Sequence, residues 1–339
     1  MKAFLDARQR RHDPRHFMAH GRVRQSPEQP ARVDALKAGA EAAGCRFEAP
    51  ADHGTGPIAA LHSPEYITFL QTIHARWSRI PDASDEVIPN IHPAGRPASY
   101  PRSAVGQAGF HQADTACPIA AATWESAYWS AQTALSGAAA LSGGAQMVYA
   151  LSRPPGHHAY ADMAGGFCFL NNSAIAAEAL RADGWRPAIL DVDVHHGNGT
   201  QGLFEARGDV LTVSIHADPA RFYPFFWGHA QERGIGAGEG CNLNLPLAHG
   251  TGDDDYLRTL DIALERIAAF GADVIVVALG LDAHEGDPLR GLAVTTPGMG
   301  RIGAAIAAAG RPCLFVQEGG YPSDALGDNL ARFLTGAAG

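Results

Sequence analysis

The chain has 339 residues, of which 46% are hydrophobic and 18% are charged, and this suits one large α/β domain, which we favour over two smaller ones. Its formal net charge of −9 argues against generic binding to nucleic acid or anionic membranes and would suit a cationic substrate. Its five cysteines are an odd number without a CxxC pair, which argues against a disulfide framework and a cysteine-based zinc site. The lack of a leader-like start and of a membrane-length apolar run argues against a membrane protein. We therefore expect a cytoplasmic protein.

Two helices are predicted in the first part of the chain. The first opens at Pro30 and continues to Gly44, a residue type that suits a helix C-terminus. The second has Ser63 as its N-cap and Pro64 at its first helical position. Neither helix carries obvious catalytic side chains.

Residues 78–118 lack helical or strand periodicity and are rich in proline, glycine, histidine and polar side chains. A loop of this length is commonly a lid or an interface element, and disorder is the alternative. Apolar residues such as Ile91, Tyr100 and Phe110 would be unusual in a disordered linker. We therefore predict an ordered loop that packs on other structure, with a second subunit as one candidate.

Strands alternate with helices in the second part of the chain. An alanine-rich helix is predicted over residues 119–143. The predicted strands are the apolar runs at 147–151, 187–194, 210–215, 273–281 and 312–317, and the helical patterns between them lie at 173–184, 254–271 and 298–310. This alternation predicts an α/β fold with a parallel sheet covered on both faces.

The run Asp-Val-Asp-Val-His-His-Gly at 191–197 closes one of these apolar strands. If the extended geometry persists, Asp191, Asp193 and His195 project from one face, because alternate residues of a strand share a face. Burying two carboxylates is costly unless cations or donors compensate them, so a bound metal explains the cluster. A carboxylate that caps the next helix is the alternative.

Polar residues also follow four other predicted strands, at the edge where open α/β sheets place their ligand crevices. This edge would gather His157, His158, Asp191, Asp193, His195, Asp282 and Tyr321. Of these, Asp193, His195 and Asp282 offer one nitrogen and two carboxylates, which suits a catalytic zinc ion with positions left open for water and substrate.

The adjacent His157 and His158 suit general acid and base catalysis beside such a metal. Asp191 and Asn198 would orient the two rings. Simple hydrogen bonding of the rings to backbone carbonyls is the structural alternative.

Five motifs carry a family resemblance: GHH at 156–158, GGFCFLNN at 165–172, DVDVHHGNG at 191–199, LGLDAHEGDP at 279–288 and EGGY at 318–321. In order and spacing, over about residues 15–335, they resemble the histone deacetylase superfamily. The stretches at 88–93, 100–118 and 222–240 are similar to its bacterial acetylpolyamine amidohydrolase branch.

The resemblance implies an arginase/deacetylase-type α/β fold, with a central, mainly parallel sheet flanked by helices on both faces. It implies a single deacetylase domain over residues 1–339, with a loop insertion at about 78–118. One zinc ion per chain, bound by Asp193, His195 and Asp282, and hydrolysis of an N-acetyl amide are also implied.

The resemblance assigns roles to the other polar residues. Tyr321 would polarise the amide carbonyl together with zinc, and water would lose a proton toward His158. By the family pattern His157 pairs with Asp191, and His158 pairs with Asn198, where some relatives carry aspartate. A neutral partner should leave the pKa of His158 lower than a carboxylate would.

The substrate tunnel is implied in the same way. Phe167 and Tyr223 match a pair of aromatic walls, Gly166 allows close backbone approach, and Leu289 falls at the rim. A leucine supplies no anionic group there, so selection of a polyamine needs carboxylates elsewhere. The candidates are Asp85, Glu86 and Glu285.

A structural potassium ion is implied near Asp191. Its other ligands would be Ser214 and the backbone carbonyls of Asp193, His195 and Ile215.

We therefore predict a zinc-dependent deacetylase of small cationic acetylated amines, such as N-acetylputrescine, N-acetylcadaverine and acetylspermidine. We also predict a homodimer, in which the 78–118 loop of one subunit narrows the tunnel entrance of its neighbour. Acetyl-lysine in proteins or peptides and other small amides are the alternative substrates. A two-metal ureohydrolase, with His284 or Asp287 as further ligands, and a noncatalytic acyl-ligand binding protein are the rival hypotheses. His196 is interpreted as structural.

Overall fold

A computed structural model describes residues 1–93 and 99–339, so residues 94–98 of the predicted 78–118 loop lie outside the described residues. The strands, in chain order, are β1 (Lys2–Phe4), β2 (His16–Ala19), β3 (Arg22–Gln25), β4 (Arg46–Glu48), β5 (Met147–Ala150), β6 (Pro187–Asp191), β7 (Leu211–Ala217), β8 (Asn242–Leu247), β9 (Val274–Leu279) and β10 (Cys313–Gln317). The helices are α1 (Ala31–Ala42), α2 (Gly56–Ala59), α3 (Pro64–Trp77), α4 (Ala104–His111), α5 (Thr123–Ser142), α6 (Asn172–Ala182), α7 (Asn198–Phe204), α8 (Asp253–Phe270), α9 (Thr296–Ala308) and α10 (Leu326–Ala338).

Eight of these strands form one sheet, in the order β4-β1-β5-β10-β9-β6-β7-β8. Every neighbouring pair in it is parallel, whereas β2 and β3 form a separate antiparallel hairpin. The central strands β6, β7, β9 and β10 are buried along their whole length, as expected of apolar strands covered on both faces. The predicted α/β fold with a mainly parallel sheet is confirmed.

Alternate residues of the central strands belong to different hydrophobic cores, because successive side chains of a strand point to opposite faces. Val276 and Leu314 pack with residues of α5 and α6. Val277 and Phe315 pack on the other face with residues of α1, α8, α9 and α10. The helices thus cover both faces and leave the carboxyl edge of the sheet to the loops.

Local sequence signals set several helix boundaries. Ser63 caps α3 as predicted, since its Oγ accepts a hydrogen bond from the backbone nitrogen of Tyr66 at 3.2 Å. Gly271, in the left-handed conformation with φ of 73°, ends α8.

Some elements were not predicted from the sequence. β1 and β4 have three residues each, which is too short to show a period of two. α4 lies inside the predicted loop and contains Gly106 and Gly109, which lower helix propensity, although Ser103 caps it. β8 and α10 were also missed.

The extended geometry assumed for residues 191–195 does not persist. β6 ends at Asp191, and the chain bends after Val192, whose backbone nitrogen still donates to the carbonyl of Ala278 at 3.0 Å. In the bend, the backbone nitrogen of His195 donates to Asp193 Oδ1 at 2.9 Å. A turn, rather than a shared strand face, therefore brings Asp193 and His195 together.

All five cysteines are free thiols, and four of them are buried. Among the helices of the described residues, none combines the length and the apolar character needed to cross a membrane.

Candidate active site and metal centre

The site residues predicted after β6 and β9 lie together at the carboxyl edge of the sheet. The register of these neighbouring strands pairs Asp191 with Ala278, so the segments that follow them leave the sheet side by side. These two segments carry Asp193 and Asp282.

Asp193, His195 and Asp282 form a buried cluster whose candidate ligand atoms lie within 4.8 Å of one another. His195 Nδ1 lies 3.1 Å from Asp193 Oδ1 and 3.2 Å from Asp282 Oδ2. Although Asp282 Oδ2 is buried, no described residue gives it a hydrogen bond of good geometry. Such an orphaned oxygen is costly, and a cation would satisfy it. The donor set and its geometry fit a metal ion.

The backbone around these carboxylates leaves room for them only because it contains glycine. A Cβ at Gly319 would lie 2.2 Å from Asp282 Oδ2 and 2.5 Å from Asp193 Oδ2. The nitrogen of Gly319 also donates to Asp193 Oδ2 at 2.8 Å, and that of Val194 donates to Asp282 Oδ1 at 3.0 Å. Backbone donors therefore hold both carboxylates in place.

The two carboxylates also set the protonation of His195. Burial alone would lower the pKa of His195, but hydrogen bonding to Asp193 and the nearby Asp282 raises it to about 9. Burial opposes ionisation of Asp193, yet the neighbouring His157 and the hydrogen bond from His195 hold the pKa of Asp193 well below its usual range. This negative field favours a cation at the imidazole nitrogen, where a proton and a metal compete.

His157 and His158 follow β5 and have unlike partners. His157 Nδ1 lies 2.9 Å from Asp191 Oδ2, and His158 Nδ1 lies 2.6 Å from Asn198 Oδ1. Burial works against the charged form of both rings, but the charge of Asp191 raises the pKa of His157 to about 10. Burial and the neighbouring His157 keep the pKa of His158 well below its usual value. The structure thus places a protonated ring beside a neutral one.

Glu318 holds the backbone of this histidine pair, a role that was not found from the sequence. It accepts hydrogen bonds from the nitrogens of Gly156 at 2.6 Å and His157 at 3.1 Å, and from Ser173 Oγ at 2.8 Å. Burial raises the pKa of Glu318 to about 7. The EGGY motif includes this glutamate, but no spacing shows that it faces the loop after β5.

Tyr321 is held from two sides. Its backbone nitrogen donates to Asp287 Oδ2 at 2.9 Å. The guanidinium of Arg32 donates to the carbonyls of Glu318 at 2.5 Å and Gly320 at 2.6 Å, and lies 4.9 Å from the centre of the Tyr321 ring. Burial raises the pKa of Tyr321 well above its usual value, so the phenol keeps its proton.

A cavity of about 290 Å³ leads from these groups to the surface. His158, His195 and Tyr321 line it together with all four predicted tunnel residues, Gly166, Phe167, Tyr223 and Leu289. The centre of the Phe167 ring lies 5.6 Å from that of Tyr321, and the Tyr223 ring stands at 89° to His158 with centres 4.9 Å apart.

Phe167 itself has φ of 70°, a left-handed conformation that is rare for a bulky residue and often marks a functional constraint. This backbone turn brings the ring to the cavity wall.

Asp114 is a further cavity residue that was not predicted. Its Oδ2 accepts hydrogen bonds from the hydroxyl of Tyr223 at 2.7 Å and from the nitrogen of Gly166 at 3.1 Å. It lies within the irregular stretch of the sequence, where no periodicity indicates the direction of a side chain.

The carboxylates considered for substrate selection lie elsewhere. Glu86 is buried and accepts a hydrogen bond from the nitrogen of Arg15 at 2.6 Å, while Asp85 lies 3.7 Å from the guanidinium of Arg15. Glu285 is exposed. None of the three is among the described residues that line the cavity.

The residues expected near a second cation are neighbours in the sheet. The register of β6 and β7 pairs Asp191 with Ser214, and Ile215 follows in β7. Ser214 Oγ lies 2.8 Å from His216 Nδ1 and 3.4 Å from His196 Nδ1. Burial lowers the pKa of His196 well below its usual value, which favours a neutral, packed ring.

The residues of the two-metal hypothesis do not join the metal cluster within the described chain. His284 Nδ1 accepts a hydrogen bond from the nitrogen of Gly286 at 3.0 Å. Asp287 accepts from the nitrogens of Leu289 at 2.8 Å and Tyr321 at 2.9 Å. Hydrogen bonds from backbone nitrogens therefore hold both side chains.

A second group, His157, Cys168 and Glu318, also lies within ligand distance. Its histidine and carboxylate are already hydrogen-bonded, and burial raises the pKa of the Cys168 thiol well above its usual value. A protonated thiol is a poor metal ligand, so we interpret this group as structural.

Comparison with known proteins gives consistent matches over nearly the whole chain. A profile of the histone deacetylase domain matches residues 26–337. An acetylpolyamine amidohydrolase of Burkholderia pseudomallei is 47% identical over 99% of this chain and 98% of its own length, and one of Mycoplana ramosa is 42% identical over 92% of each. The crystal structure of an acetylpolyamine aminohydrolase from B. pseudomallei superimposes with a TM-score of 0.97 at 46% identity, covering 100% of this chain and 98% of that one.

Proposed function

Because the chain belongs to the histone deacetylase family, we propose that it is a zinc-dependent amidohydrolase that removes acetyl groups from N-acetylpolyamines, releasing acetate and the free amine. One observation carries this proposal: a His/Asp/Asp cluster, a histidine pair and a tyrosine converge at one narrow cavity. The relatives named as acetylpolyamine amidohydrolases support the substrate class.

Asp193, His195 and Asp282 would hold the zinc ion. Two carboxylates and one imidazole suit zinc and leave positions open, and the orphaned Asp282 Oδ2 supports a cation there. When bound, the ion supplies Lewis acidity toward the amide carbonyl and water.

His158 would move the protons of the reaction. Its Nδ1 is committed to Asn198, so Nε2 is the nitrogen that is free to take a proton from the attacking water. Its low pKa keeps it neutral and ready to act as a base. As the C–N bond breaks, the same Nε2 gives that proton to the nitrogen of the departing amine, while His157 keeps its own proton beside Asp191.

Tyr321 would stabilise the negative charge that develops on the amide oxygen. Its raised pKa keeps the hydroxyl protonated, so it can donate a hydrogen bond to that oxygen. Asp287 and Arg32 hold the tyrosine segment before substrate arrives, and Phe167 and Tyr223 flank the acyl-bearing chain.

A potassium ion near Asp191 and Ser214 is part of the proposal. Their adjacency across β6 and β7, close to the backbone of Asp193, His195 and Ile215, supports it. Replacing potassium by sodium should lower thermal stability, and unchanged stability in potassium-free buffer would argue against the site.

We propose a homodimer formed through the 78–118 loop. Large apolar side chains are exposed in this loop, including Ile91 at 61% and Tyr100 at 42%. Phe226, exposed at 76%, lines a surface pocket together with His92 and Pro93 of the loop, and exposed apolar patches commonly mark interfaces. Light scattering should give twice the chain mass of 35.6 kDa, and Phe226→Asp should shift it toward the single chain. A monomer at micromolar concentration would contradict the proposal.

A cytoplasmic location is also proposed. The five free cysteines support a reducing compartment. Cell fractionation tests it, and recovery outside the cytoplasm would contradict it.

The deciding experiment compares kcat/KM of the zinc-loaded protein for N-acetylputrescine, N-acetylcadaverine, acetylspermidine and an acetyl-lysine peptide, with acetate release as the readout. We expect the small acetylated amines to be preferred. Far better turnover of the peptide would instead favour a protein deacetylase.

A further inference from the structure

The hairpin formed by β2 and β3 contributes to the outer part of the active-site cavity. Its two-residue turn, His20 and Gly21, has φ of 51° and 70°, and tight hairpin turns commonly require such positive values. Phe17, Ala19 and the exposed His20 line the cavity, and the ring of Phe17 lies 5.8 Å from that of Phe167. One face of the hairpin is therefore part of the cavity wall.

The register of the hairpin places two arginines on that same face. Arg24 is opposite Phe17, and Arg22 is opposite Ala19. Side chains directly opposite each other in an antiparallel pair project from one face, with their Cβ atoms about 5 Å apart. Both arginines are exposed, so they project beside the outer end of the cavity.

The positive charge of these arginines is not balanced by a direct partner. Within the part of the chain that the structure describes, neither Arg22 nor Arg24 forms an ion pair under a 4.0 Å limit. Asp13 borders the same surface groove as Arg24 but does not pair with it. Asp114, a carboxylate of the cavity wall, accepts instead from the hydroxyl of Tyr223 at 2.7 Å. In a chain with a net charge of −9, the hairpin is thus a local patch of positive charge.

A substrate with a second ammonium group would bring that group beside this patch. The acetyl group must reach His158 and Tyr321, so the rest of the substrate extends toward the outer end of the cavity. N-acetylputrescine ends at its single ammonium group. Acetylspermidine that is acetylated on its aminobutyl end has the same chain and continues with an aminopropyl extension, whose ammonium group would emerge near Arg22 and Arg24. Charges of the same sign repel, and proteins use such repulsion to reject competing ligands.

We infer that Arg22 and Arg24 select against acetylated amines that carry a second ammonium group, so that acetylated diamines with one positive charge are the preferred substrates. This inference rests on the proposed function and narrows its substrate class. It assigns specificity to repulsion at the outer end of the cavity.

Exclusion of long substrates by their size would have a different signature. N-acetyl-N′-butylputrescine has the same length as this acetylspermidine, but a methyl group replaces its terminal ammonium. A steric barrier would disfavour both compounds, whereas the arginines should disfavour only the compound with two charges.

The test compares kcat/KM for these two compounds, with N-acetylputrescine as the reference substrate. In the wild-type protein we expect the acetylspermidine to be about fivefold worse than the butyl compound, the size of effect that two exposed charges produce. In the double variant Arg22→Gln, Arg24→Gln the two compounds should agree within about twofold, because the exposed like charges have been removed. Raising the ionic strength should reduce the difference in the wild-type protein and have little effect in the double variant.

Two control variants separate local charge from other causes. Arg22→Lys with Arg24→Lys keeps both positive charges and should keep the discrimination. Arg258→Gln with Arg301→Gln changes the net charge by the same amount on α8 and α9, and neither residue lines the cavity. This second control should also discriminate as the wild-type protein does.

Equal kcat/KM for the two compounds in the wild-type protein, or an unchanged ratio in the double glutamine variant, would overturn the inference. If the zinc-loaded wild-type protein releases acetate from none of the three compounds, the proposed function fails instead. The two failures are thus distinguishable.

Discussion

At the scale of single residues, the two adjacent histidines of the site differ in protonation state because they have different hydrogen-bond partners. The carboxylate of Asp191 places a negative charge beside the ring of His157, whereas Asn198 offers only a neutral oxygen to the ring of His158. A neutral base and a fixed positive charge can therefore stand side by side near neutral pH.

Tyr321→Phe tests the proposed role of the hydroxyl. The ring contacts with Phe167 and Arg32 should remain, while the donor to the amide oxygen is lost. We expect kcat to fall by about 10²–10³, as when an oxyanion donor is removed. Steady-state kinetics and metal analysis of the same preparation measure this, and normal turnover with full metal content would exclude the role.

Gly319→Ala tests the space around the metal ligands. The added Cβ would overlap Asp282 Oδ2 and Asp193 Oδ2, so we expect the Kd for zinc, measured by competition with a chelator, to rise by about tenfold or more, a loss of about 1.4 kcal/mol in binding. Gly56→Ala is the control, because a Cβ there meets no atom within 4 Å. Equal metal retention by the two variants would contradict the argument.

The sequence identified the candidate ligands and the histidine pair because their motifs are contiguous. The roles of Asp114 and Glu318 were not predicted from the sequence, because their hydrogen-bond partners, Tyr223 and Gly156, are far away in the chain. The sequence therefore allowed prediction of the candidate catalytic and metal-binding residues better than of the residues that hold them in place.

At the scale of elements, α1 anchors the segment that carries Tyr321. Arg32, on this helix, reaches the carbonyls of Glu318 and Gly320, and its guanidinium is held by Glu28 at 2.8 Å. The same glutamate accepts from Arg153 at 2.7 Å, and all three charged side chains are fully buried.

Glu28→Gln should destabilise the protein by about 3–5 kcal/mol, because it leaves buried arginine charge uncompensated. The control is Glu48→Gln, which breaks an exposed pair with Lys2 at 3.1 Å and should cost less than about 1 kcal/mol. Urea unfolding of both variants gives the comparison. Similar free energies of unfolding would show that burial of the pair does not matter.

The strongly apolar strands were predicted within a few residues, since continuous buried strands leave a clear pattern. β6 is the exception, because residues 192–194 were predicted as part of the strand although the strand ends at Asp191 and the chain bends there. The short strand β1 pairs with β4 and with β5, both of which are distant from it in the chain. A local sequence pattern contains no information about such pairing.

At the scale of the whole molecule, buried neutral histidines should make stability depend on pH. Burial lowers the pKa of both His62 and His216 to about 4, against an ordinary value of 6.5. Between these values the unfolded chain binds more protons than the folded one, so stability should fall as pH decreases from 6.5 to 4.

His62→Gln should flatten this dependence by up to about 1.4 kcal/mol per pH unit, the contribution of one proton. Free energies of unfolding at several pH values in this window measure the slope. The control is His16→Gln, which changes an exposed ring and should leave the slope as it is. An unaltered slope in the His62 variant would refute the explanation.

The fold class followed from the alternation of strands and helices alone, whereas the strand order did not. The order places β9 between β6 and β10, although β7 and β8 intervene in the chain. That arrangement depends on how helices pack against both faces, which is a property of the assembled molecule.

With a metal ion bound as proposed, the neighbourhood of β6 and β9 would also couple folding to metal supply. Asp193 and Asp282 meet only after these two strands have paired across a long stretch of chain, so the ligand set has high contact order and does not exist in the unfolded state. By mass action, each tenfold excess of free metal over its Kd would add about 1.4 kcal/mol to the free energy of unfolding. A cell low in zinc would then lose this protein to proteolysis as well as lose its activity.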